Sequence, residues 1–195
     1  MDAARRVTRF TEEEYLARER LSQTKHEFIN GEIFAMAGAK LRHNAIAASL
    51  IGALLPLVRE KPCRVFNSDQ RICVGATGMF TYPDAGVVCG RPQFHSKDGM
   101  ALLNPLVLVE VLSASTEAYD RGEKLAHYRR IPSVHEILIV WQSEPRLEHH
   151  RRLEGEEWLV REHLHGRIEL PSLGGTISLD DIYAQISWTE AEDAE

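Results

Sequence analysis

The strongest constraint on the fold of this chain is an aliphatic run at residues 106–112, which is interrupted by a single acid, Glu110. A run of this length and apolar character is typical of a β-strand that is covered on both faces. Residues 82–88 form a second apolar stretch, and it also contains one acid, Asp84. The sequence therefore predicts two buried strands, each with a carboxylate inside it, in a fold where helices pack on a sheet.

The two acids need an explanation, because an ionised carboxylate buried in an apolar strand is costly unless it is paired or neutralised. If the strands are neighbours, Asp84 and Glu110 can converge on one hard cation. Mg²⁺ is commonly held by one or two carboxylates together with waters and a substrate phosphate. In the alternative interpretation, Asp84 caps a turn after Pro83, and Glu110 pairs with a core arginine or lysine. Composition and periodicity leave both interpretations open.

Helical patterns occur at four places in the chain. Thr11 followed by Glu14 matches a capping box at the start of the first helix, and Pro56 is expected to kink or end the second. Ser115 or Thr116 is expected to cap the third. The predicted helices lie at about residues 11–21, 40–56, 116–130 and 179–186.

Extended patterns separate the helices, and the Asn30-Gly31 pair is the strongest local signal for a tight hairpin. This order predicts an α/β or α+β fold: a mixed central sheet flanked by helices, with an N-terminal hairpin and C-terminal β-hairpins. We predict one domain at residues 1–187 and a disordered acidic tail at residues 188–195. Besides the two acid-containing strands, we predict strands at 25–29, 32–36, 63–74, 136–141, 146–152, 158–164 and 168–170, and a loop at 91–105.

The composition limits the class of protein. At 195 residues, with 44% hydrophobic and 27% charged residues, the chain has the size and balance of one globular domain. The formal charge of -6 opposes binding to nucleic acid. A bound divalent cation, or segregation of charge to one face, would offset this opposition.

Cysteine use and apolar segments bear on location. Cys63, Cys73 and Cys89 are odd in number and lack CxxC spacing, so a reducing cytosol is the simplest setting, and we predict a cytoplasmic protein. The N-terminus has no apolar signal segment. The longest apolar stretch, at 45–58, is shorter than the roughly 20 residues that cross a bilayer. We therefore expect a soluble protein without a membrane partner.

Five sequence features, taken in order, resemble a known family. They are the KHEFINGEIFAMAG hairpin, a helix with His43 near its start, the Pro83-Asp84 pair, the EVLSAST segment and the YDRGEKLAHYRR helix. Together they resemble the PD-(D/E)XK restriction-endonuclease-like superfamily, and more closely its Uma family of small prokaryotic endonucleases. A PD pair alone means little, but the ordered set is specific. The resemblance covers most of the chain, from the early helix to about Trp141.

The resemblance implies a metal-dependent phosphodiesterase that acts on DNA, with Mg²⁺ or Mn²⁺ as its cofactor. It implies Asp84 and Glu110 as metal ligands, with the backbone carbonyl of Val111 as a third. An acid from the N-terminal region often completes such sites, and the matching residues are Glu27 and Glu32, of which Glu27 is favoured. The alternative interpretation of both is a solvated hairpin edge.

This sequence departs from the superfamily pattern at the motif lysine. Side chains alternate along a strand, so that lysine would stand two residues after Glu110 and on the same face, where this chain has Leu112. In several branches of the superfamily the lysine moves to the neighbouring helix, and the resemblance implies Lys124 as the substitute. It shares a helical stripe with Asp120 and Tyr128. It would orient the attacking water or stabilise charge on phosphorus; otherwise it is an exposed lysine paired with Asp120.

Two further residues are weaker candidates for the site. His43 matches a histidine position of the family and would approach the metal or hold Glu27, with packing as the alternative role. Gln70, on the strand before Asp84, would face the pocket. The histidines of the C-terminal hairpins lack further ligands at a recognisable spacing, so we expect surface positions for them. They are His149, His150, His163 and His165.

These features predict a Mg²⁺-dependent endonuclease whose partner is DNA and which forms a homodimer so that two sites can cut two strands. Arg121, Arg129 and Arg130 would give the helix after Glu110 a phosphate-binding face, or else an ordinary solvated one. An inactive module with the nuclease fold that binds DNA or another partner is the alternative function, which Leu112 permits. A hydrolase of small phosphoesters is a third.

Overall fold

The computed structural model describes residues 9–188, which form two six-stranded mixed sheets, a two-stranded ribbon and a few helices. This architecture confirms the predicted mixed α/β class, although the strands divide between two large sheets and not one. Apart from Trp188, which packs on the ring of Tyr183, the predicted acidic tail lies outside the described residues.

The strands follow one another closely along the chain. They are β1 His26–Ile29, β2 Glu32–Ala35, β3 Cys63–Asn67, β4 Ile72–Val74, β5 Met79–Thr81, β6 Ala85–Cys89, β7 Phe94–His95, β8 Asp98–Leu102, β9 Val107–Leu112, β10 Glu136–Trp141, β11 Leu147–Arg152, β12 Trp158–His163, β13 Arg167–Leu170 and β14 Gly175–Ser178.

The helices are α1 Glu12–Glu19, α2 Leu41–Val58, α3 Glu117–Tyr119, α4 Leu125–Tyr128 and α5 Leu179–Tyr183, and a π-helical turn at Asp120–Lys124 joins α3 to α4. The expected capping box is present at α1, where the side chains of Thr11 and Glu14 each accept a hydrogen bond from the other's backbone N–H. The predicted helix at 116–130 is therefore divided into three short pieces, which are α3, the π-helical turn and α4. The side chain of Thr116 makes no capping hydrogen bond.

The order of the strands, and the elements that pack on them, determine which faces of the two sheets are buried. The first sheet has the order β2-β1-β5-β4-β8-β7 and the second β12-β11-β10-β9-β6-β3. Each contains one parallel pair, β4 with β8 and β9 with β10, and the other pairs are antiparallel. The second sheet is covered on one face by α2, α5 and the β13–β14 ribbon, and on the other by the α3–α4 segment and part of the first sheet.

Helix α2 packs one stripe of residues against the second sheet. The side chains of Ile46, Leu50, Leu54 and Val58 recur every four residues and are buried there, as expected for one face of a helix. Pro56 does not end the helix, which continues to Val58 because residues on both sides of the proline are anchored in the core. By its length of 18 residues and mean hydropathy of 1.4 alone, α2 is compatible with crossing a membrane. Its buried stripe is the pattern of a core helix.

The structure differs from the predicted strands and loops in several places. Residues 63–74 are not one strand: β3 joins the second sheet and β4 the first, because a turn in which Asn67 accepts hydrogen bonds from Asp69 and Gln70 separates them. The predicted loop at 91–105 contains the β7–β8 hairpin, which a buried ion pair between Arg71 and Asp98 ties to β4. The strand β14 was not predicted at all.

The cysteines do not all remain thiols. Cys63 and Cys89 stand directly opposite each other on β3 and β6 and form a disulfide, whereas Cys73 is a buried free thiol. Their spacing in sequence did not indicate this pair, because the register of the sheet brings the two residues together.

Candidate functional site

The two acids of the predicted strands stand side by side in the second sheet. Strand β6 is antiparallel to β9 with Ala85 opposite Val109, and continuing this register by one residue places Asp84 opposite Glu110. Asp84 lies in the bend just before β6 and not inside the strand, which corrects the predicted boundary at residue 82. The backbone N–H of Val111 donates to Asp84 Oδ2 at 2.7 Å, so the two strands also hold each other at the acids.

His43, in the first turn of α2, is the second partner of Asp84. Its Nε2 lies 3.4 Å from Asp84 Oδ2, and its ring also interacts with the backbone of Val111. Burial opposes protonation of His43, but the Asp84 carboxylate outweighs burial and raises the pKa of the imidazole. Helix α2 therefore reaches the same two residues that β6 and β9 bring together.

Glu110 points from β9 towards the helical segment on the other side of the sheet. It is 3% exposed, its Oε1 accepts a hydrogen bond from the hydroxyl of Tyr128, and its Oε2 lies 3.0 Å from Lys124 Nζ. Burial raises the pKa of the Glu110 carboxyl well above its usual range, against the opposing effect of the Lys124 charge.

Lys124 is the centre of a buried charge cluster. Its Nζ lies 3.0 Å from Glu110, 3.1 Å from Glu27 Oε1 and 3.5 Å from Asp120 Oδ1, and the residue is 4% exposed. Burial opposes its charge, but the surrounding carboxylates, Glu110 first, hold the pKa of Lys124 well above its usual range. The lysine is therefore a fixed positive charge and not a proton acceptor.

A π-helical turn carries two residues of the buried charge cluster, Asp120 and Lys124. A π-turn inserts a residue into a helix, and such turns are frequent at functional sites. Asp120 and Lys124 are its first and last residues, and both are buried. Burial raises the pKa of Asp120, against the effect of Lys124. The sequence showed the i,i+4 relation of these residues but not the π-turn.

Glu27 reaches the cluster from the first sheet. It lies on β1, and its carboxylate accepts hydrogen bonds from the hydroxyls of Thr81 and, at 3.0 Å, Tyr119. Thr81 was missed in the sequence because it belongs to β5, which pairs with β1 only in the folded sheet. Glu32 lies across the hairpin opposite Ile29 and lines the same cavity, but the described contacts of Lys124 do not include it.

Leu112 occupies the position of the missing motif lysine. It is buried on the face of β9 that also carries Leu108 and Glu110, and it belongs to an apolar cluster with Ile137 and Trp141. A lysine there would insert its charge among these side chains. The ammonium group beside Glu110 comes instead from Lys124, on the helical layer.

Some candidate residues lie elsewhere. The structure does not bring Gln70 to the cluster: its Nε2 donates to the carbonyls of Arg71 and Met100, and it lines a separate cavity of about 190 Å³. Arg121 and Arg129 are held by Glu148 and His150.

The expected surface position of two histidines was wrong. His149 and His150 are buried on opposite faces of β11, because this strand lies inside the second sheet between β10 and β12. Their strand β11 is separated from β9 by β10, and neither histidine is among the described contacts of Lys124 or Glu110.

A cavity of about 1110 Å³ opens above the acids. Its polar lining carries more negative than positive charge, and Lys124 and His43 each contact acids at its base. The acidic residues of the lining are Glu27, Glu32, Asp84, Glu110, Glu117, Asp120 and Glu123, and the basic ones are Lys40, Arg42 and Lys124, with His43 beside them.

The donor set fits a hard divalent cation. Asp84 and Glu110 offer carboxylate oxygens from adjacent strands, and the surplus of negative charge favours a cation there. Within residues 9–188, no three histidine, cysteine or acidic side chains converge closely enough to enclose an ion. Mg²⁺ usually keeps several waters and is held by one or two carboxylates, which is the number that Asp84 and Glu110 offer.

The fold and the site together define a protein of the restriction-endonuclease-like class. A solved structure described as a "putative nuclease belonging to DUF820" from Anabaena variabilis has the same fold, with a TM-score of 0.71. The similarity covers 90% of this chain and 98% of that one at 19% sequence identity.

Sequence similarity shows the family to which this chain belongs. The Uma2 family, described as "Putative restriction endonuclease", matches residues 12–180, and the chain belongs to this family. Two relatives from Synechocystis sp. are the uncharacterized proteins sll1609 and slr1290. The first is 37% identical over 78% of this chain and 86% of its own length, and the second 32% identical over 90% and 92%.

Proposed function

We propose that this protein is a Mg²⁺- or Mn²⁺-dependent endonuclease that hydrolyses DNA phosphodiester bonds. One observation carries the proposal: Lys124 Nζ lies 3.0 Å from Glu110, beside Asp84 on the adjacent strand. Two acids and a lysine are thus together in one cavity although Leu112 replaces the motif lysine. Membership of the Uma2 family supports nuclease chemistry in general.

Asp84 and Glu110 would hold the divalent ion, with the backbone carbonyl of Val111 as a further ligand. When bound, such an ion polarises a phosphoryl oxygen and lowers the pKa of a coordinated water. Val111 and His43 fix the orientation of Asp84, and Tyr128 fixes that of Glu110. These contacts preorganise the carboxylates before substrate arrives.

Lys124 would act through its positive charge and would not accept a proton from the attacking water. Its raised pKa keeps the ammonium group protonated, so its N–H groups can donate to the attacking water or to a phosphate oxygen. Glu27 positions this ammonium from β1 of the first sheet, and Asp120 positions it from the first residue of the same π-helical turn. We assign Glu27 as a positioning residue on this geometry.

The test is cleavage of DNA with Mn²⁺ by isosteric variants. Asp84→Asn and Glu110→Gln remove one negative charge each while keeping the shape of the side chain, and we expect both to abolish cleavage. Glu169→Gln is a matched control, because Glu169 is an exposed acid on β13 outside the cavity. Normal cleavage by either site variant would contradict the proposed mechanism.

Leu112 favours a second function, a catalytically inactive module that binds DNA or a protein partner. Calorimetric titration with Mn²⁺ separates the two functions. Binding that is lost in Asp84→Asn supports the nuclease, whereas no binding at millimolar Mn²⁺ supports the inactive module. We further propose a homodimer, since two sites would cut two strands, and sedimentation of the purified protein tests it.

A further inference from the structure

Phe34 stands next to the acids but belongs to none of the buried clusters. In the N-terminal hairpin it pairs directly with Glu27, so the two side chains project from the same face of neighbouring strands. Phe34 is 47% exposed and lines the cavity, whereas Glu27 is buried at its base beside Lys124. A large aromatic ring is therefore presented to solvent within one strand spacing of the charge cluster.

The part of the cavity wall that follows Phe34 is mainly apolar, while Glu32 precedes Phe34 on the same face of β2. Strand β2 is the edge strand of the first sheet, and the chain that follows it carries small or apolar residues up to Ala39, after which Lys40 precedes α2. The cavity thus combines an acidic floor with a mainly apolar stretch of wall. The wall residues after Phe34 are Ala35, Met36, Ala37, Gly38 and Ala39.

This combination matches the two parts of a nucleotide. The phosphate suits a cation held at the acidic floor of the cavity. The flat nucleobase suits an exposed aromatic ring, because every nucleobase has a π-face on which such a ring can stack. A duplex keeps its bases stacked inside and offers a protein only phosphates and groove edges. Phe34 can therefore stack only on a base that has left the helix or was never paired.

We propose that Phe34 stacks on an unpaired base and that the substrate of this site is single-stranded DNA. This inference rests on the proposed function. Geometry supports the choice of a single strand, because Phe34 offers a surface for stacking, whereas phosphate contacts are common to single strands and duplex. The lining of this cavity is mainly acidic, and Arg121 and Arg129 are held by other side chains. Stacking on an aromatic ring adds affinity that does not come from phosphate contacts, and it requires an unpaired base.

The experiment measures binding by fluorescence anisotropy in Ca²⁺, with a labelled thymidine oligonucleotide, the same strand in a duplex, and a strand with abasic positions as probes. We expect wild-type protein to prefer the single strand. Phe34→Ala should weaken that binding by about 5- to 150-fold, the effect of losing one stacked base. Phe34→Trp should retain it.

Phe94→Ala is the matched control. Phe94 is 46% exposed on β7 and lines the other cavity, so its loss should leave binding unchanged. The abasic strand should bind wild type and Phe34→Ala equally. An equal loss on thymidine and abasic strands, a preference for duplex, or dissociation of a dimer by Phe34→Ala would overturn the inference.

Cleavage assays keep this inference distinct from the proposed function. Metal-dependent cleavage that is equal on single strands and duplex, and insensitive to Phe34→Ala, would sustain the nuclease and reject the stacking role. Absence of cleavage on every substrate would reject the nuclease. Base-dependent binding lost in Phe34→Ala would then still support the stacking contact.

Discussion

The ammonium group of Lys124 and the carboxylate of Glu110 are 3.0 Å apart, although one residue lies in a π-helical turn and the other in a central strand. Both are almost fully buried, and Glu27 contributes a second carboxylate at 3.1 Å from the same nitrogen. Lys124 thus joins the helical segment to both sheets, through Glu110 to the second sheet and through Glu27 to the first. It therefore serves stability as well as the proposed chemistry.

Removal of the Lys124 charge should destabilise the protein strongly. Lys124→Met leaves three buried carboxylates without their cation, and breaking a buried ion pair in this way costs about 3–5 kcal/mol. Urea unfolding at neutral pH measures the loss. Lys25→Met is the control, because Lys25 pairs with the exposed Asp69 at 2.6 Å and such a surface pair contributes about 0–1 kcal/mol. Equal losses in the two variants would contradict the buried cluster.

The two hairpin acids should differ in their effect on cleavage. Glu27 contacts Lys124, so Glu27→Gln should displace the ammonium group and lower the rate by about 10²-fold. Glu32→Gln removes an acid of the same cavity wall and should change the rate much less, because Glu32 is not among the described contacts of Lys124. Single-turnover cleavage at saturating Mn²⁺ compares them. The reverse order would assign Glu32 as the N-terminal acid.

Adding a side chain at Gly86 should destabilise the protein. A Cβ there would lie 2.3 Å from the ring of Phe66 and 2.7 Å from the carbonyl oxygen of Val107, so β6 and β9 could not keep their spacing. Gly86→Ala should cost about 1–3 kcal/mol in the free energy of unfolding. It should also weaken Mn²⁺ binding, since Asp84 immediately precedes β6. Gly99→Ala is the control, because a Cβ at that residue would meet no atom of another segment within 4 Å, and we expect it to have little effect on either measurement.

His150 should make the protein sensitive to acid. Burial first, and then the Arg129 charge, lower the pKa of His150 to about 4. Arg129 donates to its Nδ1, so the neutral ring carries its proton on Nε2, towards Glu148. Above pH 6.5 the ring is neutral in both states. Between pH 6.5 and about 4 the unfolded chain binds a proton that the native protein excludes, so stability falls as the pH falls.

His150→Asn cannot take up this proton. We expect its free energy of unfolding to fall by about 1–3 kcal/mol less than that of wild type between pH 7 and pH 4. Urea unfolding across this range measures the difference. Parallel pH profiles for the two proteins would show that His150 does not carry the acid sensitivity.

The local sequence pattern was enough to predict several elements of the fold. The capping box at Thr11, the hairpin at Asn30 and the strand around Glu110 depend on neighbours in sequence, and each was predicted close to its observed place. The mixed α/β class followed from the order of these patterns. The pairing of Asp84 with Glu110 needed one further assumption, that their strands are adjacent.

Other features depend on residues that meet only in the folded protein. The division of residues 63–74 between two sheets, the Cys63–Cys89 pair and the support of Glu27 by Thr81 all require strand pairings between distant segments. Burial of Lys124 depends equally on three layers closing around it. The sequence by itself determined which residues can be charged, apolar or turn-forming. Tertiary structure decided which charges share a cavity, because sheet register and layer packing set distances that local periodicity does not contain.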